Sequence, residues 1–207
     1  MNKASWHVLQ YDISDPARLR KVHRFLKTCT YALQNSVFAW FGTSHELTNL
    51  KKKLHQLSNQ QQDDVRSYQL KYPLMLFGRT PFLANCYSSK LPTHQHYPVE
   101  WLANHPPGLF EPAANLPLHW MLCYDISNSR RRSRACRLLR KHSLGYQKSG
   151  FELSIINNLD LYELNRQLAQ LINEEEDSLI MFRTQRSGPD WQLGTAPAAG
   201  SGLLLFS

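Results

Sequence analysis

With 207 residues, 42% of them hydrophobic, the chain can build one large or two small cores, which excludes wholesale disorder. Twenty-four Lys and Arg against 16 Asp and Glu leave a net charge of +8, a bias toward polyanionic partners. No apolar run nears the roughly 18 residues that span a bilayer, and the N-terminus has no signal-peptide core, so the expectation is a soluble, cytoplasmic protein with no membrane partner. Cys29, Cys86, Cys123 and Cys136 form no C-x-x-C pair, which predicts reduced, buried thiols rather than disulfides or a zinc site.

Residues 6–13, with Trp6, Val8, Leu9, Tyr11 and Ile13, read as a strand rich in aromatic and branched side chains. Ser14, Asp15 and Pro16 supply a helix start. The spacing predicts a helix over 16–29 with an apolar stripe of Leu19, Val22, Phe25, Leu26 and Cys29. Arg18, Arg20, Lys21, Arg24 and Lys27 cover the rest of its surface. Leu33 and the run 37–41 predict two short strands in a ribbon. Thr43 and Glu46 form a capping box for a second helix carrying Leu47, Leu50, Leu54 and Leu57. A polar loop, 59–64, leads into a strand over 65–70, and 73–78 reads as a further short strand. The order βαββαβ is the ferredoxin-like arrangement, two helices on one face of an antiparallel sheet.

Residues 79–118 hold seven of the eleven prolines and no helical periodicity, so they read as a connector. Its aromatic residues (Phe82, Tyr87, Tyr97, Trp101, Phe110) predict that it lies along a domain surface, and His94 and His96 read as loop residues rather than metal ligands. The earlier pattern then returns, with a strand over 120–126 and a helix over 129–142 that turns Ala135, Leu138 and Leu139 inward. That helix carries Arg130, Arg131, Arg132, Arg134, Arg137, Arg140 and Lys141. Leu161, Leu164, Leu168 and Leu171 repeat the second helix with a one-residue shift. Glu174 to Asp177 read as a solvated acidic turn, 178–182 as the fourth strand, and 191–194 as one more. The tail, 195–207, ends in Leu203 to Phe206 and is expected to fray or to dock on a neighbour.

Tyr11-Asp12-Ile13-Ser14 recurs as Tyr124-Asp125-Ile126-Ser127, an offset of 113 residues. The same offset carries Gln34 onto Gln147, Ser36 onto Ser149, Phe38 onto Phe151 and Asp64 onto Asp177. A repeated frame of this kind means two copies of one small domain. The expected architecture is α+β: two tandem ferredoxin-like domains, 1–78 and 119–194, forming an intrachain pseudo-dimer, with the connector 79–118 between them and the tail after them.

On these marks, with Asn35 and Val37 in the first ribbon and Asp64, Arg66, Tyr68 and Leu70 in the strand after it, each copy resembles the CRISPR-associated Cas-two family, small spacer-acquisition proteins of prokaryotic immunity. The resemblance covers 6–78 and 119–194. It implies a fifth strand that crosses into the partner's sheet of a dimer, so a fused tandem would be one dimer in one chain. It also implies a spacer-acquisition scaffold that binds prespacer duplex DNA and bridges dimers of the Cas-one integrase. The alternative it carries is a Mg-dependent endonuclease acting on single-stranded RNA or duplex DNA, toxin-like ribonucleases included. A ferredoxin-like regulatory module for small ligands fits the fold but leaves the arginine runs unexplained.

Asp12 and Asp125 close equivalent strands, and across a pseudo-two-fold axis they would face one another. Two close carboxylates repel unless a cation or proton lies between them, and hard oxygen donors suit Mg²⁺, which activates water. The resemblance implies that this pair holds the metal and is catalytic; the competing reading makes each a cap for the next helix, shared with Ser14 and Ser127. The nucleic-acid contacts are expected from Arg18, Arg20, Lys21, Arg24, Arg131, Arg132 and Arg134. Arg18 and Arg20 match basic positions of the family; Arg131 matches the first in copy two, where Ser133 replaces the second. The chain departs from the family at the Arg that often precedes Gln-x-Ser, where Tyr31-Ala32-Leu33 and Leu144-Gly145-Tyr146 stand. Tyr11, Tyr124, Phe38 and Phe151 read as packing residues, Ser36 and Ser149 as backbone partners, and His7 and His142 as structural.

Overall fold

The computed structural model describes residues 3–71, 73–79, 94–104, 118–147, 150–155, 158–184 and 188–194. Cys86, Phe82, Tyr87, Phe110, Ser149 and the Leu203–Phe206 tail lie outside these described residues.

The first module runs β1 (Ser5–Asp12), α1 (Pro16–Cys29), β2 (Tyr31–Gln34), β3 (Val37–Gly42), α2 (Ser44–Leu57) and β4 (Asp64–Gln69). α1 starts where Asp15 accepts the Arg18 N–H at 2.7 Å with Pro16 in the first turn. α2 starts on the expected box, Thr43 and Glu46 each receiving the other's backbone N–H. Of the stripe predicted on α1, Val22 and Leu26 are fully buried, while Leu19 is 37% exposed and Cys29 lies at the surface. Cys123 is buried as expected and Cys136 half-buried, while Cys29 is exposed, against the expectation of buried thiols. The helix is therefore buried through its middle, at Val22 and Leu26.

Beyond β4 the chain leaves its own sheet. β5 (Leu74–Gly78) is followed by β6 (His94–Tyr97) and α3 (Val99–Asn104). The connector therefore holds regular structure that the missing periodicity had hidden: six residues are too few to show a 3.6-residue repeat. β6 pairs in parallel with β5, and α3 buries Val99 and Leu102 among the aliphatic side chains under α5. The second module follows: β7 (Leu118–Asp125), α4 (Ser129–Arg140), β8 (Ser143–Gln147), β9 (Gly150–Ile155), α5 (Asn158–Ala169), β10 (Ser178–Arg183), and then β11 (Trp191–Leu193).

Two sheets result, ordered β11-β4-β1-β3-β2 and β6-β5-β10-β7-β9-β8. β5 of the first module pairs antiparallel with β10 of the second, and β11 after the second pairs antiparallel with β4 of the first. Each module thus completes the other's sheet. Both crossing strands end at a left-handed glycine, Gly78 at φ 69° and Gly194 at φ 99°. A Cβ on either would strike the backbone carbonyl of Asp177 or Asp63 in the opposite module, 2.3 and 1.7 Å away.

The two sheets also face each other. Val8, Ala39 and Tyr68 of the first module interdigitate with Met121, Ile180 and Phe182 of the second, so one core is shared between them. Each outer face carries its own helices over its own core. Phe38, Phe151, Tyr11 and Tyr124 are at most 4% exposed and belong to those cores. His7 is buried between the Ser5 and Ser67 hydroxyls, as a structural reading requires.

Candidate nucleic-acid interface

One buried carboxylate per module sets the geometry at the strand ends. Asp63 accepts the Ser14 and Asn59 N–H groups and both arms of the Arg18 fork, at 2.8 to 3.3 Å. Asp177 accepts Ser127, Asn173 and Arg131 in the same way, at 2.9 to 3.2 Å. Both aspartate side chains are fully buried. The structural partner of Asp177 is therefore Asp63, not Asp64 as the 113-residue offset had it; a one-residue slip, already visible in the leucines of the second helix, enters between β3 and α2. Opposite Asp12 and Asp125 in the sheets stand Asp64 and Ser178. The acidic turn is likewise not simply solvated, since Glu176 ion-pairs with Arg131 at 2.6 Å and Asp177 is buried beneath it.

This clasp uses the guanidiniums of Arg18 and Arg131. Burial pushes the Asp63 carboxyl up, but the Arg18 hydrogen bond, with the Asn59 and Ser14 N–H groups, outweighs it and holds the carboxyl below its usual range. The helix N-caps are Asp15 and Asn128, so Asp12 and Asp125 are not caps. Ser14 and Ser127 donate their hydroxyls to the Gln62 and Glu176 carbonyls instead.

Freed from capping, Asp12 and Asp125 line a single cleft of about 1090 Å³ between the modules. α1 contributes Leu19, Arg20 and His23 to it, and α4 contributes Arg132, Ser133, Cys136, Arg137 and Arg140. Asn35 donates its amide to Asp125 at 3.2 Å, a contact from one module to the other. Arg132 donates to the Ile126 carbonyl at 3.0 Å, which holds its guanidinium beside the end of β7. The Tyr11 hydroxyl donates to the Asn35 carbonyl at 2.9 Å; its one proton being used, it accepts from His23 Nδ1 at 2.8 Å. Burial raises the Tyr11 phenol to about 12 and lowers the His23 imidazole, with Lys27 adding to the latter, so both are neutral at pH 7. Burial first, then the Cys136 thiol, raises Tyr124 to about 12 as well.

Of the residues predicted for nucleic acid, Arg20 and Arg132 are at the cleft, Arg18 and Arg131 are in the clasps, and Lys21 and Arg24 are exposed on α1. Arg134 lines a shallower groove of about 280 Å³ with Arg137, Lys141 and Gln167. Arg137, Arg140, Asn35 and His23 were not singled out, although Arg137 and Arg140 repeat Arg24 and Lys27 at the 113-residue offset. The Asp12 and Asp125 carboxylates and the Asn35 amide oxygen, all lining the cleft, are hard oxygen donors of the kind Mg²⁺ takes while keeping waters or phosphate oxygens. Among the described residues no three His, Cys, Asp or Glu side chains converge as a metal site, and no helix is long and apolar enough to cross a membrane.

The chain is 41% identical over 64 residues to the CRISPR-associated endoribonuclease Cas2 2 of Thermodesulfovibrio yellowstonii, covering 31% of this chain and 70% of that protein. It is 36% identical over 63 residues to the CRISPR-associated endoribonuclease Cas2 1 of Nitrosomonas europaea, covering 30% and 60%. A solved hypothetical protein of Thermus thermophilus aligns with 34% of this chain and 85% of its own, at 27% identity and a TM-score of 0.33. The family model of the CRISPR associated protein Cas2 matches residues 5–72 and again residues 118–188. Two matches, one on each module, mean that the chain belongs to the Cas2 family and carries its domain twice.

Proposed function

We propose that the chain is a spacer-acquisition scaffold, one fused Cas2 pseudo-dimer that holds the backbone of a nucleic-acid duplex along its cleft and bridges Cas-one integrase dimers. The observation that carries the reading is the convergence of α1 and α4 on one cleft, with Arg20, Arg132, Arg137 and Arg140 around two carboxylates. Guanidinium groups at the rim of a groove meet phosphates as bidentate donors without reading sequence. Arg18 and Arg131 serve the same end indirectly: they fix the helix N-termini against the strand ends, so the outer arginines start from defined positions. Two-fold repetition suits a bridge, because each module offers a related outer surface to one integrase dimer.

A second reading, metal-dependent phosphodiester cleavage, is favoured by the placement of Asp12 and Asp125 in that same cleft and by the endoribonuclease names of the two relatives. A Mg²⁺ ion held there would supply an activated water. The chain's own groups would orient the phosphate through Arg20 and Arg132 and hold Asp125 in place through Asn35.

One assay separates the two. Duplex DNA and single-stranded RNA are titrated with the protein, with and without Mg²⁺, using wild type, Asp12→Ala/Asp125→Ala and Arg20→Ala/Arg132→Ala/Arg137→Ala/Arg140→Ala. The scaffold reading expects duplex binding that survives loss of the aspartates and is lost with the arginines. Mg²⁺-dependent cleavage abolished by the aspartate pair establishes the nuclease instead.

A further inference from the structure

We propose that the face between the two modules is built to accept only the unlike module, so that the first half pairs with the second and neither half can pair with its own kind. The sheet registers show which positions are equivalent. Gln10 stands opposite Val37 and Arg66 in its sheet, as Cys123 stands opposite Gly150 and Ile180 in the other. One strand pair further along, Val8 with Ala39 and Tyr68 corresponds to Met121 with Glu152 and Phe182. The interface therefore consists of two half-interfaces related by the pseudo-two-fold, and their contents differ.

In one half, Arg66 bonds Glu152 across the modules at 2.7 Å and Tyr68 donates to the same carboxylate at 2.5 Å. Arg66 is 3% exposed and is also held by Asp64 on its own strand at 2.8 Å. In the same half the Gln10 side chain lies against Gly150: a Cβ there would sit 1.9 Å from its amide nitrogen. Gln10 is fully buried, and its amide has no hydrogen-bond partner among the described residues. The other half is apolar at the five places equivalent to Arg66, Tyr68, Glu152, Gln10 and Gly150, while the place of Asp64 is taken by Ser178, whose hydroxyl accepts from the Gln34 amide across the modules at 3.0 Å. Ile180 stands for Arg66, Phe182 for Tyr68, Ala39 for Glu152, Cys123 for Gln10 and Val37 for Gly150, all in the shared core.

Charge and volume agree on the consequence. Pairing two first modules would set Arg66 against Ala39, without its Glu152 partner, and would push Gln10 into Val37. Pairing two second modules would bury Glu152 against Ile180 and leave a void between Cys123 and Gly150. An unpaired buried charge, an overpacked contact and a cavity each disfavour the wrong assembly. Specificity of this sort comes from penalties on alternatives as much as from the intended contacts. The result bears on the cleft: every particle has one wall from α1 and one from α4, and the cleft never has two identical walls.

Complementation in the full chain tests the proposal. Gly150 does not need a left-handed backbone, since its φ is not among the positive values, and the three atoms nearest to a Cβ placed there all belong to Gln10. Gly150→Val is expected to lower Tm by about 5 °C or more, and Gln10→Cys added to it should recover at least half of that loss by recreating the Cys123–Val37 arrangement. Arg66→Ile and Glu152→Ala form a second, independent cycle: each alone leaves a buried charge without its cross-module partner and lowers Tm, while the double substitution regains part of that loss and, having made the two halves alike at this place, lets chains associate with one another on size exclusion at micromolar concentration. If Gly150→Val yields no folded protein, soluble expression regained with Gln10→Cys counts as the recovery. Losses that simply add in both cycles would overturn the inference.

Discussion

Asp63 and Asp177 make the same hydrogen bonds to the same four kinds of group, yet the helices they anchor meet the cleft with different side chains. From α1 come Leu19, Arg20 and His23; at the equivalent places α4 puts Arg132, Ser133 and Cys136, then adds Arg137 and Arg140. The contrast separates two kinds of constraint. A buried carboxylate with two backbone N–H groups and an Arg fork has few substitutes, because any missing partner leaves a charge uncompensated in the interior. A guanidinium on a helix facing water can move by one residue or one turn at little cost to folding. Duplication inside one chain thus preserves the frame twice and lets the working surface become one-sided.

The sharpest way to break that comparison is to remove the clasps. Asp63→Ala and Asp177→Ala should each cost roughly 3 kcal/mol of stability, and the two losses, measured by thermal unfolding, should agree within about 1 kcal/mol. A clasp that matters in one module alone would show as unequal losses. The cleft walls should behave oppositely. Replacing Arg132, Arg137 and Arg140 with alanine should weaken duplex binding at 0.1 M salt by about 10²-fold or more, and Arg20→Ala by about 10-fold, with little change in Tm. Equal losses from the two walls would remove the asymmetry from the account.

The His7 contribution to a pH titration belongs to the first module, since Trp120 occupies the place of His7 in the second. Burial, with Lys51 adding to it and Asp190 opposing, lowers the His7 imidazole from 6.5 to about 4. The unfolded chain therefore binds the extra proton between those values, and stability, complete above pH 6.5, falls as pH drops toward 4. The loss attributable to His7 is at most about 3 kcal/mol, and His7→Gln should flatten the stability profile in that window. The smallest effect is expected on α1: Leu19→Ala should cost under about 1 kcal/mol because Leu19 lies half in water, against about 2–5 kcal/mol for Leu26→Ala.

Much of this arrangement was legible in the sequence. The recurrence of Tyr11-Asp12-Ile13-Ser14, the leucine spacing of α2 and α5, and the Thr43–Glu46 box are local signals, and the elements they predict are present. β6 and α3 were missed because four- and six-residue elements carry no period. Asp63 was passed over for Asp64 because a fixed offset cannot register a one-residue slip; the leucines of the second helix, shifted by that one residue, held the correction. The cleft roles of Asn35 and Arg137 depend on which module lies across from which, and no local pattern encodes that. That Gln10 lies against Gly150 likewise depends on the two sheets facing each other, and neither residue's neighbours in the chain encode it.

The most direct test is the salt dependence of duplex binding. The logarithm of the association constant is measured against the logarithm of salt concentration for wild type and for the variant lacking Arg20, Arg132, Arg137 and Arg140. If the fused cleft grips phosphates through those four side chains, the slope becomes shallower by about 3 to 4. An unchanged slope would place the duplex elsewhere on the molecule and contradict the account.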